Sequence, residues 1–113
     1  MTIDEYTKIA LSTLSDGQDF GDITPKMMDQ ILGLVGESGE VAEKFKKLIR
    51  DKQGKLADED KAEIIKELGD VLWYITTIAH LMGADLETVA KRNNEKLLSR
   101  KARGKIGGSG DNR

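Results

Sequence analysis

Apolar residues recur along this chain at the three- and four-residue spacing of amphipathic helices, in four segments separated by polar or glycine-containing stretches. The first segment runs from about Thr2 to Leu14, and Thr2 and Glu5 are placed as in a capping box. The second starts at Thr24, a hydroxyl cap followed at once by proline, and continues to about Arg50. The pattern therefore predicts two helices in the first half of the chain.

The third segment is the most hydrophobic one, so we expect its helix to be central. After a polar connecting loop, Asp58 or Asp60 is placed to cap a helix that reaches about Leu81, with Gly83 as its stop. The short loop predicts that this helix packs antiparallel to the preceding one.

The fourth helix and the C-terminal end differ sharply in pattern. Asp85 is placed to cap a helix through roughly Arg100, and the residues after it are polar and rich in glycine. We expect one domain over residues 1–103 and a flexible polar tail over 104–113.

The composition shows that the chain has few apolar residues from which to build a deep core. Of its 113 residues, 38% are hydrophobic and 34% are charged, and a domain of this size buries a thin core. Burial between identical subunits would offset that shortfall. We therefore expect an all-α four-helix bundle that is completed by oligomerisation.

Charge and cysteine content exclude several classes of function. The formal net charge is −2, which gives no basic surface for a nucleic acid polymer or an anionic membrane. The chain has no cysteine, so disulfides, thiolate metal sites and cysteine nucleophiles are absent. It has no apolar run long enough to cross a bilayer and no basic leader. We expect a soluble, unprocessed, cytoplasmic protein.

Candidate chemistry is concentrated in two helices. In the second helix, Gly33, Gly36 and Gly39 fall within seven residues, although each glycine costs roughly 0.5–1 kcal/mol in a helix interior. Because glycine has no side chain, these residues leave space for a ligand or another backbone to approach the helix. Glu37 and Glu40 lie three residues apart, which places both carboxylates on one face.

The third helix repeats this arrangement with Glu67, Gly69 and Asp70. Glu63, Glu67 and Asp70 crowd like charges at spacings of four and three residues, so a cation is expected to offset the repulsion. If the two helices pack antiparallel, the two carboxylate pairs converge. An all-oxygen site of this kind suits magnesium or manganese rather than zinc.

A purely structural explanation exists for part of this pattern. Glu40 with Lys44, and Glu43 with Lys47, have the i to i+4 spacing of ion pairs on a solvated helix face. Such a ladder accounts for the lysines. It leaves the glycines and Asp70 unexplained.

The stretches GESGEVAEKFKK and KELGDVLWY resemble the MazG-like nucleotide pyrophosphohydrolases, whose signature is E-x-x-E followed by E-x-x-D. The resemblance covers roughly Leu32 to Arg100. It implies magnesium-dependent hydrolysis between the α and β phosphates of a nucleoside triphosphate, by a dimer or a dimer of dimers. The metal-binding and catalytic residues that it implies are Glu37, Glu40, Glu67 and Asp70.

Several further residues are candidates for contacting the substrate. Lys44, Lys47, Lys96 and Arg100 are candidates for the outer phosphates, with Asn93 and Tyr74 as further contacts. The resemblance alone raises the segment from Asn93 to Arg100 above a solvated helix end. The proton acceptor stays open among the four carboxylates and Glu43. Base selection is expected from the loop near Gln18 to Phe20, from the first helix and from a neighbouring subunit.

Other functions fit the same residues. Removal of noncanonical or surplus nucleotides rests on the resemblance, and phosphoribosyl-ATP pyrophosphohydrolase is a second activity in the same superfamily. A di-iron carboxylate bundle would need Glu-x-x-His pairs, which the chain lacks. A non-catalytic helical interaction protein with merely solvated acids is the remaining alternative.

Overall fold

The computed structural model of the chain describes residues 1–113 and contains four α-helices and no strand. This confirms the all-α fold class. The helices are α1 (Ile3–Ser12), α2 (Pro25–Lys52), α3 (Asp58–Leu81) and α4 (Leu86–Ala102).

Three of the predicted helix starts are confirmed by side-chain caps. The Thr2 hydroxyl accepts a hydrogen bond from the Glu5 backbone N–H at 3.1 Å, and the Glu5 carboxylate accepts one from the Thr2 N–H at 2.7 Å. The Thr24 hydroxyl accepts from the N–H three residues on, at 3.2 Å, and the Asp85 carboxylate does the same at 2.8 Å. Each cap satisfies an N–H that the first helical turn leaves free.

The predicted cap of α3 was wrong. The N-cap residue is Ala57, and Asp58 is the first helical residue. Asp60 lies in the first turn, where its carboxylate accepts a hydrogen bond from the Ala57 N–H at 3.0 Å. Asp60 therefore caps the helix from its first turn, where its negative charge also interacts favourably with the helix dipole.

Three helix ends differ from the predicted ones by two residues. The first helix ends at Ser12 rather than Leu14, α2 continues to Lys52 rather than Arg50, and α4 continues to Ala102 rather than Arg100. Gln53 then adopts a left-handed conformation with φ of 53°, which ends α2 through a C-cap. The predicted stop at Gly83 is confirmed by its φ of 76°.

Helices α2 and α3 form the main packing unit and run antiparallel. Lys52 contacts Asp60 at the loop end, and Gln30 contacts Thr77 at the far end. Residue numbers therefore rise along one helix as they fall along the other. Three apolar side chains in the whole chain are buried: Leu48, Ile64 and Ala79.

The four helices do not close a bundle within one chain. Helix α4 packs against α3 alone, and α1 contacts no other helix. The radius of gyration is 20.0 Å, whereas a compact domain of about 100 residues has a value of about 13 Å. Completion of the bundle by oligomerisation stays a prediction.

The C-terminal tail folds back along α4. The Arg113 guanidinium donates to the carbonyl oxygens of Ile106, Gly107 and Gly110, and Arg103 donates to the carbonyl of Arg113. The tail thus has defined contacts, and its flexibility stays a prediction. None of the four helices combines the length and the apolar character needed to cross a membrane.

Candidate metal and phosphate site

Three of the four predicted carboxylates come together on the α2–α3 pair. One carboxylate oxygen from each of Glu37, Glu67 and Asp70 lies within 4.8 Å of the others. Glu37 projects from α2, and the other two lie one turn apart on α3. We call these three residues the carboxylate cluster.

The cluster concentrates negative charge. The pKa of Glu37 is raised above its ordinary value, first because partial burial removes water from the carboxylate and then because Asp70 and Glu67 repel a further negative charge. The charged form of Glu37 is therefore disfavoured in the folded chain, and a bound cation would restore it.

Glu40 is not part of the cluster. Its side chain is exposed one turn beyond Glu37 on α2, although its charge contributes to the raised pKa of Glu37. Its role as a metal ligand stays a prediction.

Lys44 reaches across from α2 to α3. Its ammonium lies 3.7 Å from Glu67 and 4.0 Å from Glu63, and it is not paired with Glu40, its i to i−4 neighbour. The surface ladder is therefore present only between Glu43 and Lys47, at 3.8 Å. Lys44 places a positive charge at the edge of the cluster, where an anionic ligand of the metal would lie.

The glycines around the cluster divide into two kinds. A Cβ added to Gly33 would overlap the ring of Tyr74, so this glycine allows a close approach between α2 and α3. A Cβ added to Gly36, Gly39 or Gly69 would meet nothing within 4 Å. The space beside these three residues is open, which leaves room for a ligand or a second chain.

Tyr74 and Trp73 form an aromatic pair beyond the cluster. Their ring centroids are 4.9 Å apart and the ring planes are at 89°, the edge-to-face geometry that aromatic pairs favour. Trp73 remains 56% exposed. Tyr74 is half-buried because its ring packs against Gly33.

No basic residue of α4 pairs with a carboxylate of the cluster within one chain, and α4 packs against α3 alone. Lys96 and Arg100 instead contact Asp111 in the tail, and Asn93 is exposed. Their roles in phosphate binding stay predictions. Sequence reasoning missed Asp111, because no spacing rule links a tail residue to a helix fifteen positions earlier.

The cluster fits a hard divalent cation. All of its ligand atoms are carboxylate oxygens, and no histidine or cysteine belongs to it. Magnesium prefers such oxygen ligands and typically takes one or two carboxylates, with water and phosphate oxygens completing the shell. Glu37, Glu67 and Asp70 are the residues that would hold it.

Comparison with known proteins identifies the family. Residues 26–104 match the family model of the MazG nucleotide pyrophosphohydrolase domain, and this range includes the whole cluster. The chain therefore belongs to the MazG nucleotide pyrophosphohydrolase family.

Two similar proteins have names that state no activity. The chain is 52% identical over 82 residues to the Gene 37 protein of Mycobacterium phage L5. The match covers 73% of this chain and 72% of that protein. It is 36% identical over 72 residues to the uncharacterized protein YvdC of Bacillus subtilis (strain 168). This match covers 59% of this chain and 68% of that protein. No solved structure matches the chain.

Proposed function

We propose that this chain is a magnesium-dependent nucleoside triphosphate pyrophosphohydrolase that cleaves between the α and β phosphates and releases a nucleoside monophosphate and pyrophosphate. The observation that carries the proposal is the convergence of Glu37, Glu67 and Asp70 within 4.8 Å in a member of this family. Three carboxylates from two helices repel one another at this distance, and a bound divalent cation would offset that repulsion.

The residues of the cluster have separate tasks in this reaction. Glu37, Glu67 and Asp70 hold magnesium, for which manganese can substitute, with Glu40 as the fourth ligand once it turns inward from its exposed position. When bound, the metal supplies positive charge to the phosphates and lowers the pKa of water. A carboxylate of the cluster or Glu43 accepts the proton that water loses on attack.

Basic and polar side chains bind the rest of the substrate. Lys44 already contacts Glu67 of the cluster, and in the complex it binds an outer phosphate. Lys47, one turn further along α2, binds the phosphates as well. Tyr74, packed on Gly33 beside the cluster, contacts the nucleotide. The α4 residues proposed to complete phosphate binding are Asn93, Lys96 and Arg100.

The active form is a homodimer or homotetramer. Support comes from the poor burial of a single chain, in which three apolar side chains are buried and α1 contacts no other helix. A second copy would cover exposed apolar side chains. It would also supply basic α4 residues to the cluster, since Lys96 and Arg100 of the same chain pair with Asp111 instead.

The biological role that fits this reaction is removal of noncanonical or surplus nucleotides from the cytoplasmic pool. The substrate is a free (d)NTP. The net charge of −2 supports neither a nucleic acid polymer nor a membrane as partner.

The test is release of pyrophosphate from a panel of canonical and modified nucleoside triphosphates and phosphoribosyl-ATP, with and without magnesium. We expect magnesium-dependent release of pyrophosphate that falls about 100-fold or more in Glu67→Gln, since losing even an outer-shell metal contact costs 10- to 100-fold. Glu59→Gln is the matched control, because Glu59 is exposed in the first turn of the same helix.

The outcomes separate the alternatives. Preference for phosphoribosyl-ATP would assign the second activity of the superfamily. Release of phosphate alone, or no cleavage of any substrate together with unchanged magnesium affinity in Glu67→Gln, would contradict the proposal and favour a non-catalytic interaction protein.

A further inference from the structure

A groove opens between the start of α2 and the end of α3. Its volume is about 560 Å³, within the ~300–1,000 Å³ typical of small-molecule sites. We call it the Trp73 groove, after the aromatic side chain in its wall. The lining residues that matter here are Lys26, Asp29, Gln30, Trp73, Thr77 and His80.

The Trp73 groove adjoins the carboxylate cluster. Trp73 follows Asp70 by three residues, which is about 4.5 Å along the helix axis. On α2, Gln30 precedes Glu37 by seven residues, or about 10.5 Å. The groove therefore begins one helical turn from the cluster and extends away from Lys44, which lies on the other side.

Trp73 offers a supported flat surface. The edge-to-face contact with Tyr74, at 4.9 Å, braces one side of the indole, and Tyr74 is itself fixed against Gly33. Yet Trp73 remains 56% exposed. An aromatic ring held in this way is suited to stacking on a planar heterocycle.

Gln30 supplies an oriented polar group in the same groove. Its side-chain oxygen accepts a hydrogen bond from the Thr77 hydroxyl at 2.6 Å, in a part-buried position. Its amide nitrogen donates to Asp29 at 3.3 Å. A carboxamide has two N–H donors and two lone pairs, so one of each is left for a ligand.

The charge of the groove favours a neutral ligand. Lys26 and Asp29 offset each other, and His80 is the other titratable side chain in the wall. A phosphate would find no excess of positive charge there. A base and its sugar, which are uncharged, suit an aromatic surface with one amide.

We propose that the Trp73 groove binds the base and sugar of the nucleoside triphosphate whose phosphates lie at the carboxylate cluster. This inference rests on the proposed function. It also orients the substrate, because a nucleoside in the groove directs the β and γ phosphates along α2 towards Lys44. The loop near Gln18 to Phe20 is then not the main determinant of base binding.

The first experiment uses Trp73 as its own reporter, since it is the single tryptophan of the chain. Nonhydrolysable α,β-methylene nucleoside triphosphates and inorganic tripolyphosphate are titrated in magnesium, with fluorescence and calorimetry recorded in parallel. We expect each nucleotide that binds to quench Trp73, at the Kd given by calorimetry, and tripolyphosphate to bind without quenching. Nucleotide binding without quenching, or equal quenching by tripolyphosphate, would overturn the proposal.

Kinetics of variants give a second test. Trp73→Leu should raise the KM for the preferred triphosphate about tenfold and change kcat little, as expected from loss of base stacking. Gln30→Leu should reduce the ratio of kcat/KM between the best and the worst base. Phe45→Leu is the control, because Phe45 is 43% exposed on α2 and does not line the groove.

These outcomes also separate failure of the groove from failure of the proposed function. If no triphosphate is bound or hydrolysed by the unaltered chain, the proposed function fails and the groove proposal falls with it. If hydrolysis is normal but Trp73→Leu leaves KM unchanged, the groove proposal alone fails. It fails equally if Trp73→Leu changes the oligomeric state in sedimentation, since the groove would then be an interface between subunits.

Discussion

The ammonium of Lys96 lies 2.8 Å from a carboxylate oxygen of Asp111, so a residue proposed to bind phosphate is paired with the tail of its own chain. Arg100 donates to the same carboxylate at 3.3 Å and also to the Asp111 carbonyl. Arg100 is the one charged side chain that is buried, at 6% exposure. The hydrogen bond and the charge of Lys96 lower the pKa of Asp111, which favours the charged form of this carboxylate.

The first prediction is that Asp111 competes with substrate. Asp111→Asn should lower the KM for the triphosphate by about two- to fivefold, the range expected from an exposed ion pair, and leave kcat unchanged. The difference should shrink as salt is added, because salt screens exposed charges.

Asp58→Asn is the control for this prediction. The side chain of Asp58 is fully exposed and contacts a single lysine at 4.0 Å. An unchanged KM in Asp111→Asn, or an equal fall in both variants, would mean that Lys96 and Arg100 do not bind phosphate in competition with the tail.

The second prediction concerns pH and the metal-free chain. The folded chain holds the pKa of Glu37 above its ordinary value of 4.5, so the folded state binds more protons there than the unfolded state. Stability must then fall as pH rises through that raised pKa. We expect Glu37→Gln to unfold at a higher temperature than the unaltered chain at pH 7, and the difference to vanish below the ordinary pKa.

Two comparisons isolate this effect. Magnesium should raise the unfolding temperature of the unaltered chain at pH 7 and do so far less in Glu37→Gln. The lowered pKa values of Asp60 and Asp85 act with the opposite sign, because their stabilisation is lost as pH falls below 3.8. Destabilisation of the metal-free chain by Glu37→Gln at pH 7 would contradict the prediction.

Local features of this fold could be predicted from the sequence, and relations between helices could not. The caps at Thr24 and Asp85 were predictable because a cap needs only residues within one turn. The contacts of Lys44 with Glu67 and of Tyr74 with Gly33 depend on how α2 and α3 are rotated about their axes, which spacing within one helix does not fix. The site was therefore predictable as two carboxylate pairs, while the outward position of Glu40 was not.

The third prediction uses the glycines to separate stability from function. Gly69→Ala should stabilise the metal-free chain by about 0.5–1 kcal/mol, because a Cβ there meets nothing within 4 Å and alanine favours the helix. Gly69 is next to Asp70 in the chain and lies one turn before Trp73 on the same face of α3, so we expect pyrophosphate release to fall about tenfold or more if substrate passes closely over this face. Thermal unfolding and activity of the same sample measure both effects.

Gly33→Ala is the contrasting variant. Its Cβ would overlap Tyr74, and crowding of this kind costs about 1–3 kcal/mol, which exceeds the gain in helix propensity. We expect a lower unfolding temperature. If Gly69→Ala keeps full activity, the open space beside Gly69 is not occupied during the reaction.

The last prediction places an interface between subunits on α2. Leu32 and Val35 are 65% and 66% exposed, and Gly36 and Gly39 leave open space beside them. These four residues follow one another at spacings of three, one and three, which forms a continuous apolar stripe suited to close packing of a second helix. Val35→Glu would bury a charge in that contact, so we expect the dimer dissociation constant to rise about 100-fold or more. Sedimentation at micromolar concentration measures this, with Lys55→Glu in the α2–α3 loop as the charge-changing control. An unaltered chain that sediments as a monomer, or a Val35→Glu variant that still associates normally, would place the missing contacts of α1 and α4 elsewhere.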